Sequence, residues 1–141
     1  MTTLDQDIRA GLQKRLITTS GFPASGNRAF EGLEFTPTVG EAWAKMTLIP
    51  TGNEAYLTGA TNTQTGLFQV DLYEPPGLGT GGLEALVNAV KDKFRPATRI
   101  NLAGGEWLEV INVERVGAIF SEADFMRAIV QVRWRVHSAR L

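Results

Sequence analysis

Residues 66–94 constrain this chain more than any other stretch. In residues 67–73, Phe68, Val70 and Leu72 alternate with Gln69, Asp71 and Tyr73. A period of two with one apolar side predicts a strand that is dry on one face and wet, or at an interface, on the other. Pro75 and Pro76 follow, and neither can donate to a ladder, so the strand must stop there. Past a glycine-rich turn, Leu83, Leu86, Val87, Val90 and Phe94 recur at helical spacing, with Glu84, Asn88, Lys91, Asp92 and Arg95 opposite. That is an amphipathic helix, and Pro96 forces its exit. A half-dry strand leading through a tight loop into a one-sided helix calls for two layers, with the helix laid on the dry face.

The rest of the chain extends this pattern. Thr3 and Gln6 have capping-box spacing, and Leu4, Ile8, Leu12 and Leu16 form a stripe behind them, predicting a first helix to Ile17. Gly11 weakens that helix by roughly 1 kcal/mol relative to alanine. Residues 18–31 read as a long loop, with Phe22 and Phe30 tucked under the domain edge or touching a neighbouring subunit. Residues 42–49 read as a strand with Ala44, Met46 and Leu48 inward, ended by Pro50. The polar stretch 51–65 reads as a second long loop. Strands at 99–103 and 107–113 flank Gly104-Gly105, a hairpin signal. A short strand at 116–120 and a polar break at 121–124 precede a long one at 126–137, about 40 Å if extended. The expected fold is α+β: one domain over 1–141, ordered α-β-β-α-β-β-β with an optional further strand. Its sheet is mostly antiparallel, with both helices on one face.

Composition narrows the chemistry. Fourteen basic and fifteen acidic residues leave a net charge of −1, which argues against tight charge-driven nucleic-acid binding by a single copy. The chain has no cysteine, so disulfides and thiolate chemistry are excluded. Its one histidine, His137, cannot make a multi-imidazole metal site within one chain. The opening residues lack signal-peptide character, and no apolar run reaches the ~20 residues of a membrane span. A cytoplasmic product, or a particle component made in a cytoplasm, is expected.

Gly77, Gly79 and Gly82 match the spacing of a dinucleotide fingerprint, between a strand and a helix. The preceding strand is half-polar, two prolines interrupt the entry, and a hairpin follows where a second βαβ unit is needed. The alternative is a close-packed strand-to-helix loop with Thr80 as helix cap. Asp71, Glu74 and Asp124 offer carboxylates that nothing in the sequence pairs. Arg127, Arg133 and Arg135 form a basic stripe on one strand face, solvated, ion-paired across strands, or pairing with a neighbouring subunit.

The strand Gly66-Leu67-Phe68-Gln69-Val70-Asp71-Leu72-Tyr73, then Pro76-Gly77, Gly79-Thr80 and a helix closing on Phe94, resembles the phage tail terminator-like family. So do the Trp43-Ala44-Lys45-Met46 strand with Leu48 and Pro50, and the late Asp124, Phe125 and Val130-Gln131-Val132-Arg133-Trp134 pattern. The Pro75-Pro76 pair departs from the family, where one proline suffices. The resemblance implies a small α+β virion protein in a six-membered ring. Such a ring caps the tail tube, halts its growth and docks the head connector. Its implied partners are further copies of itself, the tail tube protein and the connector, with DNA passing through the lumen unread. It implies no cofactor, metal or catalytic residue and no membrane. Wet-face aromatics and arginines are enriched at interfaces, so Phe22, Arg28, Asn62, Gln64, Asp71, Tyr73, Arg133 and Arg135 are the candidate contacts. Another neck or head-completion protein, and a nucleotide-binding enzyme using residues 77–82, are the alternatives.

Overall fold

The computed structural model describes residues 2–55, 62–122 and 124–139. The capping box forms: the Thr3 N–H donates to Gln6 Oε1 at 2.8 Å, and the Gln6 N–H donates to Thr3 Oγ1 at 3.2 Å. Helix α1, Leu4–Ile17, follows and buries Leu4, Ile8, Leu12 and Leu16 completely or nearly so. Gly11 has a packing reason. A Cβ there would sit 3.0 Å from Leu102 and 3.3 Å from Ile100, so glycine lets α1 lie close on the sheet.

Among the described residues seven strands make the sheet: β1 (Arg28–Phe30), β2 (Trp43–Ala55), β3 (Asn62–Glu74), β4 (Arg99–Asn101), β5 (Trp107–Arg115), β6 (Phe120–Glu122) and β7 (Phe125–Ser138). Their order is β1-β2-β3-β7-β5-β4, with β6 pairing β7. Helix α2, Gly81–Lys93, connects β3 to β4. Every pairing is antiparallel except β1 with β2, so the sheet is mixed.

That parallel pair corrects the reading of 18–31 as all loop. A single 3-10 turn, Ser25–Asn27, feeds β1, whose register is Arg28 to Ala44 and Phe30 to Met46. Three residues are too few for alternation to show in sequence. The reading of 51–65 as loop is corrected too: β2 runs to Ala55 and β3 begins at Asn62, with residues 56–61 outside the described set. Pro50 does not end β2. The Leu48 N–H points to the β1 side, where the Glu31 carboxylate takes it. By strand alternation Pro50 faces that same outer edge, so its missing N–H costs the β2–β3 ladder nothing. The irregularity comes just after it, as a register shift between Pro50 and Gly52. The short strand expected at 116–120 lies later, at Phe120–Glu122, and so takes up part of the expected polar break.

The core lies between the helices and one sheet face. Ala44, Met46 and Leu48 of β2 join Phe68, Val70 and Leu72 of β3, then Ala128, Val130, Val132, Trp134 and Val136 of β7. Leu83, Leu86, Val87 and Val90 close it from α2, with Phe94 just past the helix as its cap residue. Gly66 faces Trp134 across the strands, and a Cβ there would fall 2.3 Å from the indole. The sheet thus uses a glycine to seat its largest core side chain.

Candidate functional site

The opposite face of the sheet carries the polar residues of the long strands. Strand register sets them in rows: Trp43-Tyr73-Arg127, then Lys45-Asp71-Ile129, Thr47-Gln69-Gln131 and Ile49-Leu67-Arg133. Beyond the bulge, Thr65 pairs with Arg135, and Arg135 with Glu109.

Three rows share a partly buried polar network. Arg127 Nη2 donates to Asp71 Oδ1 at 2.9 Å. Gln69 Nε2 donates to the same oxygen at 3.2 Å, and Gln131 Nε2 donates to Gln69 Oε1 at 3.1 Å. The Asp71 side chain is 2% exposed, so these partners stand in for the water it has lost. Removing one partner of such a buried pair costs about 3–5 kcal/mol. Aromatic rings cover the network at the Trp43 end. Trp43 stacks on Tyr73 with centroids 3.9 Å apart, Phe125 meets both edge-on, and Phe35 tilts against Trp43 at 5.1 Å. The Arg127 guanidinium lies 5.5 Å from the ring centroids of both Tyr73 and Phe120.

Residues 31–42 cross from β1 to β2 and shape this end of the face. Glu31 anchors the crossing, because its Oε1 accepts from both Arg9 of α1 and the Leu48 N–H of β2. Partial burial raises the Glu31 pKa, but the Leu48 hydrogen bond, the Arg9 hydrogen bond and charge, and the Lys45 charge outweigh it, so the net shift is downward. A cavity of about 490 Å³ lies under the crossing, lined by Phe30, Leu33, Phe35, Trp43 and Lys45 among others.

The candidate contact residues divide among four places. Asp71 is buried within the chain beneath the aromatic cluster, and Tyr73 is buried as a member of that cluster. Arg135 is bonded to Glu109 on the adjacent strand, while Arg133 is exposed. Asn62 and Gln64 lie in β3, and by alternation on its helix side; Gln64 Nε2 donates to Asp5 Oδ1 at 2.8 Å. Phe22 packs half-buried on the core, and Arg28 lies 5.6 Å from its ring centroid while donating to the Pro23 carbonyl. The carboxylate left without a partner in the sequence, Asp71, finds Arg127 because β3 and β7 are neighbours. His137 lies beside Thr63, its Nδ1 2.9 Å from the hydroxyl.

Sequence reasoning missed Glu31 and the roles of Trp43 and Phe125 as covers. Trp43 could have been found, since it shares the outward parity of its strand with Lys45. Glu31 had no periodic signal at all.

The glycine loop has a structural basis. Gly77 and Gly79 take positive φ, 89° and 75°, with open space where a Cβ would go. Gly82 differs: a Cβ there would lie 2.6 Å and 2.7 Å from the two Glu74 carboxylate oxygens. A carboxylate therefore stands at the start of α2, where it suits the helix dipole and repels phosphate. Thr80 holds the cap position, but its side chain makes no capping bond. Among the described residues no three His, Asp or Glu side chains cluster to hold a metal. No described helix is long and apolar enough to cross a membrane.

Comparison with known proteins agrees with this architecture. No curated protein matches the sequence. One solved structure superposes with a TM-score of 0.74 at 18% identity, covering 96% of this chain and 96% of its own. A chain from a structure titled virion of native gene transfer agent (GTA) particle gives 0.68 at 15% identity, covering 98% and 100%. At these identities both establish the fold alone. A family model described as phage tail terminator protein matches residues 7–134, from the first turn of α1 to Trp134 in β7. The chain belongs to the phage tail terminator protein family.

Proposed function

We propose that copies of this chain close into a ring, six-membered by family analogy, that caps the finished tail tube. The ring halts tube growth and offers its other face to the head connector, and DNA passes through its lumen without being read. A structural role in the phage tail follows from the family itself, and the finer assignment rests on the single observation of that match over 7–134. The likeness to a chain of a gene transfer agent virion supports a place in a particle of virion type.

The geometry supports a closed assembly. A heterologous contact closes a ring by rotation when each copy offers two unlike surfaces. Here one sheet face lies under the helices, and the other carries polar side chains and the crossing segment. Open-ended growth by strand addition is opposed at the β2 edge. Glu31 occupies the Leu48 N–H and Pro50 has none to give. Contacts between copies then fall to side chains. The proposed contacts are Arg133, Arg135, Phe22 and Arg28, with Asn62 and Gln64 at the hairpin. Asp71 and Tyr73 act from beneath, bracing the face. The proposed place in the particle is the junction of tail and neck.

Tail length tests this reading. A phage lacking the protein is expected to assemble overlong tubes, and purified protein added to tubes is expected to appear as a ring at one end in electron micrographs. Tails of normal length that merely fail to join heads would instead assign the chain to another neck component.

A further inference from the structure

We infer that the clefts between the C-terminal ends of α1 and α2 form a docking site for an acidic segment of a partner protein. A cleft of about 400 Å³ is lined by Gly11, Lys14, Arg15, Thr18, Lys93, Arg99, Ile100 and Asn101. A second, of about 320 Å³, shares Arg15 and Lys93 and adds Arg95 and Asp92. Five cations thus border two adjoining recesses in a chain whose net charge is −1.

Basic residues in a last helical turn ordinarily answer the helix dipole. That accounts for only part of this cluster. Each helix end supplies about half a negative charge, so two ends and Asp92 still leave an excess of about three positive charges. Asp92 is already bonded to Arg95. Lys14, Arg15, Lys93 and Arg99 make no ion pair with any described residue. Two of them are held in position. Arg15 Nε donates to the Lys93 carbonyl at 2.7 Å, which fixes the wall between the clefts, and the Arg99 guanidinium sits 4.1 Å from the Trp107 ring centroid at the rim.

Charge complementarity selects an anion, and the short extent of the patch selects a protein segment. The cations border two shallow, open recesses formed by residues between 11 and 20 and between 89 and 101. A duplex is convex and needs cations raised along a path, and the near-neutral chain gives it no attraction at long range. This site stands whether or not copies close into a ring.

The test uses the full chain, with hexaglutamate as probe at about 50 mM salt, where exposed charges are only partly screened. Saturable chemical-shift changes confined to residues 11–20 and 89–101 are expected. Lys14→Glu combined with Lys93→Glu is expected to weaken binding at least about tenfold while the chain stays folded with a modestly lowered melting temperature, because the Lys93 backbone, not its side chain, holds Arg15, whereas each new carboxylate opposes a helix dipole. Absence of saturable binding overturns the proposal, and so does binding indifferent to the double variant. Tighter binding to a duplex of equal charge reassigns the site to nucleic acid. Loss of self-association in the double variant without peptide reassigns it to a second copy.

Discussion

At Gly66 the fold depends on the absence of a single carbon. The Trp134 indole fills the space above its Cα, and the Ile49 carbonyl lies 2.8 Å from where a Cβ would be. Backbone and a core indole both resist moving, so Gly66→Ala is expected to destabilise by roughly 3 kcal/mol, near the top of the overpacking range. Urea titration measures it, and a loss under about 1 kcal/mol would show that the indole can shift. Glu31 sets a pH dependence. Its folded pKa lies below its ordinary value of 4.5, so its contribution is present above that value. The contribution is lost as pH falls through the lower folded value. The stability gap between the natural chain and Glu31→Gln is therefore expected at neutral pH and should shrink below pH 4.5. A gap that widened on acidification would refute the assignment. Sequence could suggest Gly66 as unusual inside a strand; the identity of its neighbour required the β3–β7 register.

Among the elements, the capped α1, the one-sided α2 and the three long strands were legible. Each repeats its apolar positions often enough to declare a buried face. Phe94 shows what such a pattern hides. It reads as the last residue of a helical stripe, yet it serves as the cap residue of α2 and sits with its ring centroid 6.3 Å from that of Phe68. Because it is fully buried, Phe94→Ala is expected to cost about 3–5 kcal/mol, more than any other single change to this helix. Thermal melts of alanine variants at Leu83, Leu86, Val87, Val90 and Phe94 rank them, and a larger loss at any other position contradicts this. Strand β2 shows the opposite limit. Proline reads as a stop, but its effect depends on which edge its nitrogen faces, and that is set by a neighbour far away in sequence.

For the whole molecule, the proposed ring puts its demands on the exposed part of the sheet face. Arg133 is exposed there, and Arg135 is already engaged with Glu109. Arg133→Glu with Arg135→Glu is expected to leave a folded monomer, because neither guanidinium belongs to the Asp71 network. It should lose about 1 kcal/mol from the partly exposed Arg135 pair and a comparable amount from the repulsion that Arg135→Glu sets up against Glu109. Ring formation on tubes should be abolished. Size-exclusion chromatography checks the fold and electron microscopy of tube ends checks the ring; intact rings from this variant would remove both arginines from the contact.

By itself the sequence determined which faces of the long elements are dry, the two-layer α+β build and the absence of thiol chemistry. These follow from local periodicity and residue type, which each segment carries alone. Only the tertiary structure decided that Asp71 meets Arg127, that Glu31 closes the β2 edge, that Glu74 occupies the start of α2, and that five cations gather at two helix ends. Each of those depends on segments distant in the chain being brought within a few ångströms. Such pairing is fixed by strand order and register, which no single stretch of residues encodes.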